Sequence, residues 1–355
     1  MLWNEFIGHQ SQLKRMRTAV AHGRLATTFL FIGTEGIGKR TFARLLAKSL
    51  LCRHSPFNTL TPCGRCEDCA QVDASTHPDL IEICKPDDKS EIPVKSFIGD
   101  PEHRMREGLC YDISLRPYGG RKKVAIIDDA DNINEEGANA LLKTLEEPPP
   151  DCLIILVGTS LQRQLPTIRS RCQSLLFQPL TVSQLTELIL RRQLASCREE
   201  AEEIARISGG SISEAARNSH AELREFRGWL FQQLDSPKIA LSEVAKQCGQ
   251  IVDAAGKEAR LKRDRMKQLF LTAADFYRAV IFEKIKAEQA VHGRLESEQA
   301  SRFINGLAMV GSFSFSGAVE CWQICLKAVD QVDRNANQTA LLQAWIAELA
   351  QFSGR

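Results

Sequence analysis

The chain has 355 residues, 43% of them hydrophobic and 25% charged, the profile of an ordinary globular protein with room for two or three domains. Its formal net charge of +2 excludes a global electrostatic attraction to nucleic acid and leaves only local or partner-assisted contacts. No apolar run approaches the roughly 20 residues of a membrane span. The opening MLWNEFIGHQ lacks the charged and apolar regions of a secretory leader, so the expected location is cytoplasmic.

Residues 1–28 begin with a short apolar turn, Phe6-Ile7-Gly8-His9, and a polar helix from Gln10 to His22 with Leu13, Met16 and Val20 on one side. Packing is the first role expected of this segment, and a wall for a nucleotide base the second. Phe29-Leu30-Phe31-Ile32 reads as a buried strand. Gly33 to Lys39 then gives the spacing G-x-x-x-x-G-K, and a helical pattern follows with Phe42, Leu45, Leu46 and Leu50 on one face. Strand, glycine loop and helix is the context in which this spacing binds phosphate. Gly33, Gly36 and Gly38 let backbone N–H groups converge on phosphate oxygens, the helix N-terminus adds positive potential, and Lys39 reaches the outer phosphates. The hydroxyl that would ligate magnesium is missing, because Arg40 follows the lysine and Thr41 comes one position late. The loop is therefore expected to hold ATP phosphates without a proper metal ligand, with Thr41 still able to contact a phosphate.

Twelve cysteines are present, and four of them cluster as Cys52, Cys63, Cys66 and Cys69 with spacing C-x10-C-x2-C-x2-C. Three thiols in a knuckle plus one at the end of the preceding helix can surround a tetrahedral zinc. Four sulfurs leave no position for water, so the site is structural. His54 and His77 are possible replacements for Cys52. The remaining cysteines (Cys84, Cys110, Cys152, Cys172, Cys197, Cys248, Cys321, Cys325) are expected to be reduced core residues.

Asp79 to Ile83 predicts a second strand, residues 85–107 are charged and without a clear period, and Tyr111 to Gly120 reads as a loop. Val124 to Ile127 is a third buried strand that delivers Asp128 beside the phosphate loop. That is a Walker B arrangement, with Asp128 placed to hold magnesium through water. Asp129 stands where a glutamate would polarise the attacking water. It is one methylene shorter, and a displacement of about 1 Å there can cost on the order of 100-fold in rate. Asn134 to Glu147 is an amphipathic helix with Ala138, Leu141, Leu142 and Leu145 at i, i+3, i+4, i+7, stopped by Pro148-Pro149-Pro150. Cys152 to Val157 is a fourth strand, after which Thr159 or Ser160 would meet the γ-phosphate of a bound nucleotide. Leu165 to Cys172 precedes a fifth strand, Ser174 to Phe177. Five strands separated by helices predict a doubly wound α/β domain.

From Pro179 onward only helical patterns occur. Thr181 with Gln184 and Ser211 with Glu214 have capping-box spacing, and Gly209-Gly210 interrupts the chain. The last amphipathic helix runs from Ala336 to Phe352 with Leu341, Leu342, Trp345 and Leu349 on one face. The expected domains are 1–178 with the cysteine module at 52–69, then 179–220, then 221–355. There is no low-complexity segment and no clear internal repeat.

Taken together, these residues resemble the AAA+ clamp-loader subunits of bacterial DNA polymerase III. The resemblance rests on the phosphate loop, the inserted four-cysteine module, the strand into Asp128-Asp129-Ala130-Asp131, the run Ala138 to Pro149, and Leu165 to Cys172. It covers residues 1–220 well. Asn335-Ala336-Asn337 also looks like the family's late helix start. The resemblance implies a five-stranded parallel sheet with an inserted zinc module, a small helical lid, and an all-α C-terminal collar.

Of the family's two branches, the ATP-hydrolysing motor subunit and the delta-prime subunit, this chain looks like the second. Arg40 replaces the magnesium-binding Ser or Thr, Asp129 replaces the catalytic glutamate, and Ser213 stands where motor subunits usually carry a lid arginine. Ser170-Arg171-Cys172 is complete, and in the family this arginine acts in trans on a neighbour's ATP site. The implied partners are motor and delta-type subunits, a ring-shaped sliding clamp, and primer-template DNA reached through the complex. Two rival functions stay open at this point, while a third, a small-molecule kinase on the same phosphate loop, is disfavoured by the long helical C-terminus and the Arg171 motif. One is an active motor subunit of the same complex. The other is a zinc-dependent DNA-binding module, which the near-neutral charge and lack of a basic stripe disfavour.

Overall fold

Mostly apolar runs, whose successive side chains point to opposite faces, build the central sheet. Its strands are β1 (Thr28–Ile32), β2 (Leu80–Ile83), β3 (Lys123–Ile127), β4 (Cys152–Gly158) and β5 (Gln173–Leu176). Phe29, Phe31, Val124, Ile126, Leu153 and Ile155 pack on one face against Phe42 and Leu46 of the helix Lys39–Leu51. Leu30, Ile32, Ala125, Ile127, Ile154 and Leu156 pack on the other against Leu141 and Leu145 of the helix Glu135–Glu146. Because both faces are covered, β1, β3 and β4 are buried along their whole length, as parallel strands between helix layers must be. Leu46 is fully buried. Leu46→Ala is expected to lower stability by about 2–5 kcal/mol, read as a lower urea midpoint at unchanged slope.

The computed structural model describes residues 1–56, 58–86, 89–104, 106–236, 240–256, 258–291, 313–333 and 337–352. Strand order is β2-β3-β4-β1-β5 with every neighbouring pair parallel. All five carboxyl ends therefore open on one edge, where open α/β sheets bind ligands. β4 lies between β1 and β3, with Gly158 level with Ile32 and Leu156 level with Ile127.

Two compact units are present, Met1–Ser219 and His220–Arg355. Within the first, the helices Val182–Arg191, Arg198–Ile207 and Ile212–Asn218 close a small core of Leu185, Ile189, Ile204 and Ala215 beside the sheet. The described residues of the second form helices, with no strand among them. Its longest helix, Ala259–Val291, packs along Phe315–Asp333, with Phe270, Phe276, Tyr277, Cys321, Cys325 and Trp345 in the core. Among the described residues no helix is long and apolar enough to cross a membrane.

Several local expectations need correction. The segment read as a loop from Tyr111 is helical over Leu109–Ser114, where Leu109, Cys110 and Ile113 meet the core. Six residues are too few to display a helical period, so burial decides the conformation. Thr181 and Gln184 form a complete capping box. Ser211 caps its helix, but the Glu214 carboxylate turns to Arg217 at 2.5 Å. The last helix is Gln338–Ala350, capped by Asn337; Asn335 and Ala336 lie outside the described residues. All twelve thiols are free, and Cys84 and Cys197 are exposed at element ends rather than in the core.

Candidate functional site

The phosphate loop leaves β1 at Gly33 and enters the helix at Lys39. A Cβ on Gly33 would stand 2.5 Å from the Phe177 carbonyl. Gly36 and Gly38 have φ of +74° and +100°, left-handed values that strain any other residue. A side chain on Gly36 would also collide with the hydroxyls of Ser211 and Ser213. The loop thus presses directly on the small helical group, and Ile212 N–H donates to the Gly36 carbonyl at 2.9 Å.

Trp3 and Phe6 are buried and pack edge-on against Phe42 beneath the loop. His9 Nε2 lies 2.7 Å from the Ile37 carbonyl. The N-terminal segment is a packing element here. Lys39 is almost fully buried, and its ammonium donates to the carbonyls of Gly33 and Thr34, each at 2.6 Å. Burial lowers its pKa, and the carboxylates of Asp128, Asp131, Glu35 and Asp129 oppose the shift.

Asp128 ends β3 and is met by Arg40, whose Nη1 stands 3.4 Å from Oδ2. The other Arg40 nitrogen is 4.0 Å from Glu82, which Arg44 holds at 2.5 Å. Burial and the adjacent Asp129 push the Asp128 carboxyl above its usual range, and Arg40 pulls it back. Asp129 sits in the left-handed region at φ +55° with an exposed side chain. Asp131 accepts from Thr159 N–H at 2.8 Å and from the Gln164 amide, stitching the ends of β3 and β4 together.

A cavity of about 310 Å³ opens over these groups, lined by Gly36, Gly38, Lys39, Arg40, Thr41, Asp128, Asp129 and Thr159, and also by Arg192 and Ser213. Its size falls at the small end of nucleotide and ligand pockets. Of the two candidates after β4, Thr159 lines the cavity, while the Ser160 hydroxyl accepts from Arg163 N–H at 3.3 Å in its own turn.

Arg171 lies elsewhere. It precedes β5, and its carbonyl accepts from the Thr28 hydroxyl at 2.8 Å, at the amino end of β1. The phosphate loop leaves the opposite end of that five-residue strand, which separates the two by roughly 15 Å. Arg171 Nε donates to Glu146 Oε1 at 2.7 Å, and Nη1 donates to the Thr167 carbonyl at 2.9 Å and to Ser170 Oγ at 3.1 Å.

The four cysteines of the predicted module converge, with their sulfurs all within 4.8 Å of one another. Cys52 and Cys66 are 3.8 Å apart, the separation of about 3.8 Å expected for thiolates ~2.3 Å from one tetrahedral ion. Backbone N–H groups of Cys63 and Cys69 point at the sulfurs of Cys52 and Cys66, at 3.4 and 3.5 Å. The Arg65 amide and His54 pull the Cys63 thiol down to about 5, while burial pushes Cys66 and Cys69 up. His54 borders Cys63 at 3.7 Å and His77 faces Asp68 at 3.8 Å, so neither replaces Cys52. Arg53 holds Asp68 through two nitrogens, and Arg121 donates to the carbonyls of Cys52 and Ser55, tying the module to the sheet. This donor set fits a structural metal ion.

A family model described as DNA polymerase III, delta subunit, matches residues 8–181. That segment, just under half of the chain, is similar to this family of DNA polymerase III subunits. DNA polymerase III subunit tau of Escherichia coli is 33% identical over 215 residues, which is 59% of this chain and 31% of that protein. The delta' subunit of Bacillus subtilis is 34% identical over 194 residues, 54% of this chain and 55% of that protein. The chain thus spans about a third of the first relative and about half of the second. A solved gamma subunit-related protein of Thermotoga maritima has a TM-score of 0.38 and 15% identity over 96% of this chain and 99% of that one.

Three side chains at these sites were not singled out from the sequence. Asp131 carried a signal, the second acid of Asp128-Asp129-Ala130-Asp131. Arg192 follows the helix Val182–Arg191 and carried none. Glu146 was read only as part of an amphipathic helix, although it is the partner of Arg171.

Proposed function

We propose that the chain is a delta-prime-type stator of the DNA polymerase III clamp loader. It supplies Arg171 to the ATP site of an adjacent motor subunit, so that the complex opens a sliding clamp and closes it on primer-template DNA. The observation that carries this reading is a division across the sheet. The chain's own phosphate pocket, at the carboxyl edge, has Arg40 on Asp128. The Ser170-Arg171-Cys172 motif is intact at the amino edge, too far away to serve that pocket. The guanidinium stabilises charge developing on the neighbour's γ-phosphate.

In this reading the first unit comprises the sheet domain, 1–178, and a helical lid, 179–220. Residues 221–355 form a collar that packs with the other subunits. Cys52, Cys63, Cys66 and Cys69 hold a structural zinc. The loop glycines, Lys39, Thr41 and Thr159 hold nucleotide without efficient turnover, and Asp129 is a degenerate catalytic position.

Reconstitution with motor and delta-type subunits tests the assignment. A stable complex whose clamp- and DNA-stimulated ATPase requires this chain supports it, and failure to enter any such complex removes it. A motor role is the second reading, favoured by the 33% identity to tau. It requires ATP hydrolysis by the purified chain that Lys39→Ala abolishes. The stator reading expects negligible hydrolysis and no change on that substitution.

A further inference from the structure

We propose that the phosphate pocket binds a nucleoside di- or triphosphate without a divalent cation, with the Arg40 guanidinium on Asp128 in the cation's place. This rests on reading the pocket as a nucleotide site.

The argument begins with what magnesium needs. It demands nearly octahedral oxygen ligands at about 2.0–2.1 Å and usually takes one or two carboxylates plus phosphate oxygens. The position after Lys39 offers a guanidinium instead, which carries only donors and no lone pair. That group is about half exposed, at 48%, and lies along the wall of the cavity. One nitrogen stands 3.4 Å from Asp128 and another 4.0 Å from Glu82, so an acid just after β3 and one within β2 flank it from separate strands. Arg44, on the same helix as Arg40, orients Glu82 in turn. A metal ion at Asp128 would have to displace one cation or sit against it. The residues present therefore do not fit magnesium.

They do fit phosphate. An ionised Asp128 alone would repel a polyphosphate from the loop; paired with Arg40, its charge is offset. Lys39 and Arg192 remain as cations on the cavity wall, and the first turn of the helix Lys39–Leu51 has backbone N–H groups without intrahelical partners. Asp131, the deeper of the other acids, has its oxygens engaged by Thr159 N–H and Gln164. The metal's two services, neutralising the strand-end carboxylate and presenting positive charge to phosphate, are thus built into one side chain. A guanidinium offers no open coordination position to a leaving group or an attacking water, which suits retention of a nucleotide rather than turnover.

Fluorescent N-methylanthraniloyl-ADP, titrated into the full chain with excess EDTA or with millimolar magnesium, tests this directly. The expected result is the same affinity in both within about twofold. Arg40→Thr restores a hydroxyl where the loop motif has one. It is expected to lose about tenfold or more in EDTA, ~1.4 kcal/mol, and to recover it with magnesium. Arg40→Lys keeps the charge and should bind in EDTA; thermal melting checks that both variants fold. Binding by the unaltered chain in magnesium only overturns cation replacement and leaves the nucleotide site standing. Binding in neither condition overturns the nucleotide site and this proposal with it.

Discussion

Arg171→Ala is expected to lower the clamp- and DNA-stimulated ATPase of the reconstituted complex by ~10³ or more, the usual scale of an arginine supplied in trans. Assembly should survive, because among the described residues the half-buried guanidinium's hydrogen-bond partners are Glu146, Thr167 and Ser170, all near it in its own unit. The Glu146 pair holds the arginine in place before a neighbour is met. An exposed ion pair contributes at most about 1 kcal/mol, so releasing it changes the rate by no more than roughly fivefold. Glu146→Gln should therefore leave stimulated ATPase within that factor, whereas Arg171→Lys should remain severely impaired, since an ammonium cannot reproduce the planar fork. Initial-rate assays on purified complexes read all three variants. An Arg171→Ala complex with unchanged ATPase removes the trans role.

Cys66→Ser is expected to abolish stoichiometric zinc, measured by atomic absorption on the purified chain. Structural zinc carries apparent binding free energies of about 10–16 kcal/mol in small zinc peptides. Here the module is also held by Arg53–Asp68 and by Arg121, so the loss should be smaller but still several kcal/mol. Cys66 both caps the helix Glu67–Asp73 and lies 3.8 Å from Cys52. Its replacement should loosen residues 52–73 first, seen as rapid proteolysis within that segment, with the sheet melting at a lower temperature. Chelation of the unaltered chain should reproduce both effects. Full zinc content in the Cys66→Ser chain would show that the cluster is not the zinc site.

Much of the site was legible because its chemistry is local. The loop glycines and Lys39 lie within one turn of chain, and three of the four cysteines fall within Cys63 to Cys69. What was missed joins distant segments. Arg40 was legible as the absence of a hydroxyl but not as the partner of Asp128, because only the placement of β4 between β1 and β3 sets that distance. That Thr159 rather than Ser160 lines the cavity likewise depends on the packed strand ends, where Asp131 accepts from the Thr159 N–H. The helix Leu109–Ser114 escaped notice because it makes less than two turns and owes its shape to the apolar surface beneath it.

The amino-acid order alone determined the continuous apolar strands, the glycine loop with its missing hydroxyl, and the thiol cluster. Each depends on side-chain period or spacing along a few residues, which the covalent chain already fixes. Tertiary structure decided which charges meet and which stay apart: Arg40 on Asp128, Arg171 on Glu146, and Arg171 at the edge of the sheet opposite its own phosphate loop. Those are Coulombic and hydrogen-bonding contacts between groups brought near only by parallel strand order. Their energies fall off over a few ångströms, so they exist only once the sheet has closed.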